Sequence, residues 1–307
     1  METLGVYVSR LVTRRQGFTP GHRACSGCGE VLALMMVMKA LGRNVIISMS
    51  TGCMEIISSQ LPHTAWEVPW IHTLFETSAI VASGIEAGLK ALKRKGASLP
   101  EAKVVAMGGD GATFDIGLGA ISGAFERGHD FLYVCFDNEA YMNTGIQRSS
   151  ATPFGASTTT QPAGKVGMGQ LTWKKNMPAI AVAHDIPYVA TASPSYPFDL
   201  IAKVKKAAKI EGPTYVHILS VCPTGWRIPT DMTIRTGRLA VESGVFPLYE
   251  VEKGRYTLNH APLKLRPVED YLKLQGRFRH LTAELIDKIQ QRVTAEYEAL
   301  KEKAAHE

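Results

Sequence analysis

The sequence has no apolar run of about 18 residues or more, so no transmembrane span is expected. Its start, Met1-Glu2-Thr3-Leu4, lacks the basic region and apolar core of a signal peptide, which predicts a cytoplasmic protein. No basic stripe with interleaved aromatic residues occurs, which argues against nucleic acid as a partner. Internal repeats and low-complexity tracts are missing as well. Cysteine is scarce, with five residues in 307, an odd number. In a cytosolic chain this speaks for metal ligation or free thiols and against a disulfide framework. Charge is not extreme either. The net charge of +6 suits an acidic docking partner or simply a soluble surface.

What is present is a large globular core, since 45% of the residues are hydrophobic and 20% charged. Short apolar runs at 45–49, 103–107, 131–136, 188–191 and 215–221 read as buried parallel strands. Helical patterns at 30–41, 78–95, 116–127 and 198–208 lie between them. Alternating strand and helix predicts a doubly wound, mostly parallel α/β domain over residues 1–238, with a C-terminal extension over 239–307. In the extension, 249–267 reads as irregular or a small hairpin. Leu281, Leu285, Ile289, Val293, Tyr297 and Leu300 then form one helical stripe with Thr282 as N-cap. Packing of that stripe on the parent domain is the simpler expectation, and docking on a partner subunit is the other.

Cys53, Asp110, Asn138 and Cys222 each fall just beyond the carboxyl end of a predicted strand, the edge where open α/β sheets bind ligands. Gly108-Gly109-Asp110-Gly111 follows a strand and precedes a helix. Glycines let a backbone approach phosphate oxygens, and a helix beginning near Ile116 would aim its N–H groups at the anion. Asp110 offers a hard oxygen to Mg²⁺, Asn138 an amide oxygen and Ala140 a backbone carbonyl. Asp115, Asp137 and Glu139 lie nearby and are not needed as ligands. The plainer alternative is a tight turn with an aspartate cap. The Ser-, Thr-, Gly- and Pro-rich stretch 149–170 is too long for a bland connection.

Cys25 and Cys28 form a Cys-x-x-Cys pair, with Cys53 and Cys222 as distant singletons. Such a set can hold a 4Fe–4S cluster or Zn²⁺, or remain uncoordinated. The third and fourth candidates stand singly at strand ends, which favours a cluster beside the sheet over a zinc ribbon. Cys135 sits inside an apolar strand and reads as a core residue. A diphosphate site and a thiolate set in one chain suggest carbanion chemistry whose electrons drain into the cluster.

Residues 21–30 (Gly-His-Arg-Ala-Cys-Ser-Gly-Cys-Gly-Glu), Ser50-Thr51-Gly52-Cys53-Met54-Glu55, Pro69-Trp70-Ile71-His72, Gly109-Asp110-Gly111 and the stretch 138–145 (Asn-Glu-Ala-Tyr-Met-Asn-Thr-Gly) resemble the β subunit of the 2-oxoacid:ferredoxin oxidoreductases. The pyruvate:ferredoxin oxidoreductase type is nearest, and the likeness covers roughly residues 18–230. The resemblance implies an α/β thiamine diphosphate-binding fold carrying the diphosphate half of the site. It matches Asp110, Asn138 and the Ala140 carbonyl to Mg²⁺, and Cys25, Cys28, Cys53 and Cys222 to one 4Fe–4S cluster. It also implies that Asn143 faces the thiazolium and substrate, with Glu30 and Thr51 near the same pocket. A partner α subunit would complete the cofactor site, and γ- or δ-type subunits would carry further clusters toward ferredoxin.

One departure stands out. The pyruvate type reads Phe-Glu-Asn where this chain has Phe75-Glu76-Thr77. The resemblance implies oxidation of pyruvate with coenzyme A, and this departure makes oxalate, giving two CO₂ without coenzyme A, the alternative. A non-redox thiamine diphosphate enzyme with structural zinc and a non-catalytic scaffold subunit are the remaining rivals.

Overall fold

In a computed structural model, residues 17–60 and 62–305 are described; Met1-Glu2-Thr3-Leu4, from which a cytoplasmic location was expected, lies outside them. Eight strands form one sheet in the order β2-β1-β3-β4-β6-β5-β7-β8. Strands β1 (Val45–Ser50), β2 (Trp70–Thr73), β3 (Lys103–Gly109), β4 (Phe131–Asp137), β5 (Tyr188–Ala192) and β6 (Thr214–Leu219) are mutually parallel. An antiparallel hairpin, β7 (Tyr249–Glu252) and β8 (Arg255–Leu258), joins the edge at β5. This is the doubly wound α/β fold expected from the sequence.

The central strands are apolar on both sides because both faces are covered. Val105 and Met107 of β3 point to one face, with Leu34 and Met38 of α1 (Gly29–Leu41) and Leu200 of the helix Pro197–Lys209 in the same cluster. Val104 and Ala106 point to the other, with Ala82 of α3 (Ser78–Arg94) and Phe125 of α4 (Leu118–Glu126). That two-residue alternation is the strand period made visible. The other helices are α2 (Cys53–Ser58), α5 (Met177–Val182), α6 (Pro197–Lys209), α7 (Pro223–Trp226), α8 (Thr233–Glu242), α9 (Val268–Leu272) and α10 (Ala283–Ala305).

The expected helix 116–127 starts differently. A π-helical turn, Gly111–Ile116, precedes α4. Gly117 N–H bonds the Ala112 carbonyl five residues back at 2.9 Å, and the Thr113 hydroxyl donates to the Gly109 carbonyl at 2.7 Å. Helical backbone therefore begins directly after Asp110. Strand β2 was not foreseen: it is a four-residue edge strand in which Ile71 and His72 are exposed and only Thr73 is buried, so it carries no apolar run.

Helix α8 crosses position 238, and the chain beyond it stays on the same body. Thr282 caps α10 through its hydroxyl, which accepts from Leu285 N–H at 3.4 Å. Ile289 and Val293 are buried in a cluster with Val221, Trp226 and Phe278. The stripe thus packs on the parent domain.

Candidate active site

At the carboxyl edge of β1, β3 and β4 lies a cleft lined by Glu30, Thr51, Gly109, Asp110, Gly111, Asn138, Ala140 and Asn143, with Cys53 on its wall. Every residue that the sequence placed in the cofactor pocket meets here. Asp110 is 1% exposed and Asn138 4%. Burial, reinforced by the charge of Asp137, pushes the Asp110 carboxyl well above the usual carboxylate range. The Ser149 hydroxyl partly offsets this by donating to Asp110 Oδ2 at 2.5 Å.

Asn138 is held by Glu30, whose Oε2 accepts from Asn138 Nδ2 at 2.9 Å. That bond fixes the amide so that Oδ1 is turned away from Glu30. Oδ1 is buried and has no hydrogen-bond partner among the described residues. A buried amide oxygen without a donor is costly unless a ligand satisfies it. Burial raises Glu30 to about 7, against the bond from Asn138. Gly111 is required by packing: a Cβ there would lie 2.3 Å from the Tyr141 ring. The Tyr141 hydroxyl donates to the Gly111 carbonyl at 3.0 Å and closes that side. Thr51 Oγ1 is 2.7 Å from His72 Nε2, and His72 Nδ1 is 3.5 Å from buried Glu55. Asn143 is exposed in the loop beyond β4.

The three acids set aside as non-ligands are all engaged elsewhere. Asp115 accepts from Ser150 N–H at 3.0 Å. Asp137 pairs with Lys174 at 2.5 Å and His217 at 2.8 Å; these partners hold it at about 2 against its burial. Glu139 pairs with Lys174 at 2.8 Å and with Arg277.

The four cysteines approach from three segments. Cys25 is exposed, Cys28 precedes α1, Cys53 opens α2 and Cys222 caps α7. Cys222 senses the charge of Cys25, and Cys53 that of Cys222 and Cys28, so the four form one electrostatic neighbourhood. Burial, then the charge of Glu30, raises Cys28 to about 12; burial raises Cys222 to about 11 and Cys53 further. Backbone N–H groups already point at sulfur: Gly225 donates to Cys222 Sγ at 3.3 Å. Gly29 permits the convergence, because a Cβ there would meet the Val221 carbonyl at 2.6 Å. Among the described residues, no three His, Cys, Asp or Glu side chains form a group that could hold a metal ion. Cys135 is fully buried in β4, as expected of a core residue.

Sequence reasoning missed Ser149 on Asp110, His72 on Thr51, and the cleft residues Phe75, Tyr141 and Met142. The only available signal for Ser149 was the unusual composition of 149–170. Thr77, the departure in the sequence motif, lies before α3, where its hydroxyl donates to the Leu74 carbonyl at 3.3 Å; it does not line the cleft.

Residues 50–218, more than half of the chain, match the family model of the thiamine pyrophosphate enzyme C-terminal TPP binding domain. The chain is 55% identical to pyruvate synthase subunit PorB of Methanocaldococcus jannaschii, over 90% of this chain and 94% of that protein. It is 50% identical to ketoisovalerate oxidoreductase subunit VorB of Pyrococcus abyssi, over 94% of both. In fold it is similar to a chain of the 2-oxoglutarate:ferredoxin oxidoreductase from Magnetococcus marinus, with a TM-score of 0.54, 24% identity, and 74% of this chain and 78% of that one covered.

Proposed function

Since this chain belongs to the β-subunit family of the thiamine diphosphate-dependent 2-oxoacid:ferredoxin oxidoreductases, we propose that pyruvate is its substrate and that the cleft at Asp110 and Asn138 receives the cofactor's diphosphate. It is an oxidoreductase subunit and works with other subunits. The observation that carries the cleft assignment is the buried, unpartnered Oδ1 of Asn138 in the same cleft as buried Asp110. A hard cation answers both needs: it satisfies the amide oxygen and favours the ionised form of an aspartate that burial disfavours. Asp110, Asn138 Oδ1 and the Ala140 carbonyl would hold Mg²⁺. Gly109 leaves room for the phosphates, Gly111 lets the Tyr141 ring pack against the turn, and the π-helical turn beginning at Gly111 brings N–H groups to that edge.

Cys25, Cys28, Cys53 and Cys222 would hold the 4Fe–4S cluster. Each thiolate of such a cluster binds a different iron, so a spread set of four suits it better than a single-ion site. The raised thiols fit this reading, since metal binding supplies the driving force for deprotonation. Gly225 N–H would remain on the Cys222 sulfur and tune the cluster.

Thiamine diphosphate, when bound, supplies the carbanion chemistry that releases CO₂ from a 2-oxoacid, and the cluster takes the electrons singly. The chain's own contribution is orientation. Glu30 turns Asn138 and Ser149 steadies Asp110, and Asn143 in the exposed loop would donate to an oxygen of the reacting group. Thr51, held by His72, lines the side toward Cys53. An α subunit would complete the cofactor site, γ- or δ-type subunits would carry further clusters, and ferredoxin would be the final acceptor. The α/β domain to residue 238 would carry both centres, with 239–307 as an extension. No helix among the described residues is long and apolar enough to cross a membrane, and a cytoplasmic location is proposed.

Oxalate is not favoured. The relatives are named for pyruvate and ketoisovalerate, and Thr77, the reason for considering oxalate, lies outside the cleft lining. Turnover of the purified subunit complex on pyruvate, ketoisovalerate, 2-oxoglutarate and oxalate, with and without coenzyme A, tests the proposal. Coenzyme A-dependent turnover fastest on pyruvate is expected. Turnover on oxalate without coenzyme A would overturn it.

A further inference from the structure

The C-terminal extension contributes a buried cation to the loop that carries Asn138 and Ala140. Arg277 and Glu139 are each 3% exposed, and Arg277 Nη2 donates to Glu139 Oε2. The guanidinium lies over the Trp226 ring at 4.0 Å from its centroid, and its Nε donates to Gln275 at 2.9 Å. Trp226 Nε1 in turn donates to the Asn138 carbonyl at 2.9 Å. Arg277 thus grips both Glu139 and the ring that holds Asn138.

Glu139 stands between the two proposed ligands and has φ +67. A side chain other than glycine or asparagine seldom adopts this left-handed conformation, which persists only where the surroundings enforce it. The enforcement is complete here. Glu139 N–H donates to Asp137 Oδ1 at 2.9 Å, its carbonyl accepts from Thr152 at 2.8 Å, and its carboxylate is shared by Lys174 and Arg277. Buried ion pairs are poor sources of stability, because desolvation offsets most of the attraction. Their better use is to select one geometry. This pair also neutralises a carboxylate on the loop that carries Asn138 and Ala140.

We infer that Arg277 is a positioning residue for the Mg²⁺–diphosphate site: with Lys174 and Trp226 it holds Glu139 in the left-handed conformation, which directs Asn138 and the Ala140 carbonyl to the cleft and keeps the Glu139 carboxylate neutralised. The extension is therefore part of the cofactor site. This rests on the cleft being the diphosphate site, so the test separates the two.

Subunit complexes carrying Arg277→Met, Arg277→Lys, Glu139→Gln/Arg277→Met or Asp110→Asn are stripped of cofactor. Binding of thiamine diphosphate with Mg²⁺ is measured by calorimetry, with iron content as a control. The double variant leaves no carboxylate unpaired at position 139 and decides the case if Arg277→Met fails to assemble. Weakening of about tenfold or more is expected for Arg277→Met and the double variant, with iron content unchanged. Arg277→Lys, which keeps the charge and loses the planar fork, should fall between them and the unaltered complex. Unaltered affinity in the double variant alongside weakened binding in Asp110→Asn overturns the positioning role alone. Unaltered affinity in Asp110→Asn overturns the cleft assignment, and the positioning role with it.

Discussion

The two sides of the cleft are built by different means. On the proposed diphosphate side, Asp137, Asn138 and Glu139 are pinned by side chains: Lys174, His217, Arg277, Trp226 and Thr152. On the cysteine side the segments are brought together by backbone packing, as where Gly29 meets Val221, while burial raises the Cys28 and Cys222 thiols. One half is pinned by side-chain contacts, and in the other the proposed cluster would draw the gathered ligands in. Preorganisation suits a cofactor that must be held at a defined angle to its substrate. A site of thiols is instead assembled by the metal, whose binding energy deprotonates them.

The largest expected effects separate the sides cleanly. Asp110→Ala should abolish retention of thiamine diphosphate through gel filtration and leave iron content intact. Cys222→Ala should do the reverse, with iron lost or the cluster degraded and cofactor binding largely kept. Cys135→Ala is the control: Cys135 is fully buried in β4, and its variant should keep its iron. Equal iron loss in the Cys222 and Cys135 variants would sink the ligand assignment.

The next effect lies within the diphosphate side. Asn143→Ala should bind the cofactor normally and slow single-turnover reduction of the cluster by roughly a hundredfold, the usual cost of one hydrogen bond made in the transition state. Reduction at the unaltered rate would make Asn143 a turn residue only.

Ser149→Ala should weaken Mg²⁺ binding by about 10–100-fold, as loss of a group that orients a metal ligand does. It removes the hydroxyl on Asp110 Oδ2 and leaves the cation's own ligands in place. An unchanged Mg²⁺ requirement would show that burial alone positions Asp110. The smallest effect belongs to Thr77→Asn. Thr77 is at a helix start outside the cleft, so the preference among 2-oxoacids should not change. A switch in preference would mean that this turn reaches the substrate.

The same contrast explains what the sequence could reveal. Strands β1, β3, β4, β5 and β6 were legible because strands covered on both faces are written as apolar runs, and ligands follow their ends. Strand β2 was not, because exposure removes the pattern. Asp110 and Asn138 could be found from glycine spacing and strand position. Ser149 and Arg277 could not, since each reaches its partner across a long loop or from the C-terminal extension, and nothing local marks such a contact. The π-helical turn at Gly111 was also hidden, because its defining bond, Gly117 to Ala112, depends on how the turn packs rather than on composition.

The central claim is that this chain is one half of a shared cofactor site and carries the electron acceptor itself. Stopped-flow absorbance in the visible range, after pyruvate is added anaerobically, tests it directly. The subunit complex with thiamine diphosphate and Mg²⁺ should bleach in a single turnover, and the isolated chain reconstituted with iron, cofactor and Mg²⁺ should not. Bleaching by the isolated chain, or by the complex stripped of thiamine diphosphate, would contradict the account.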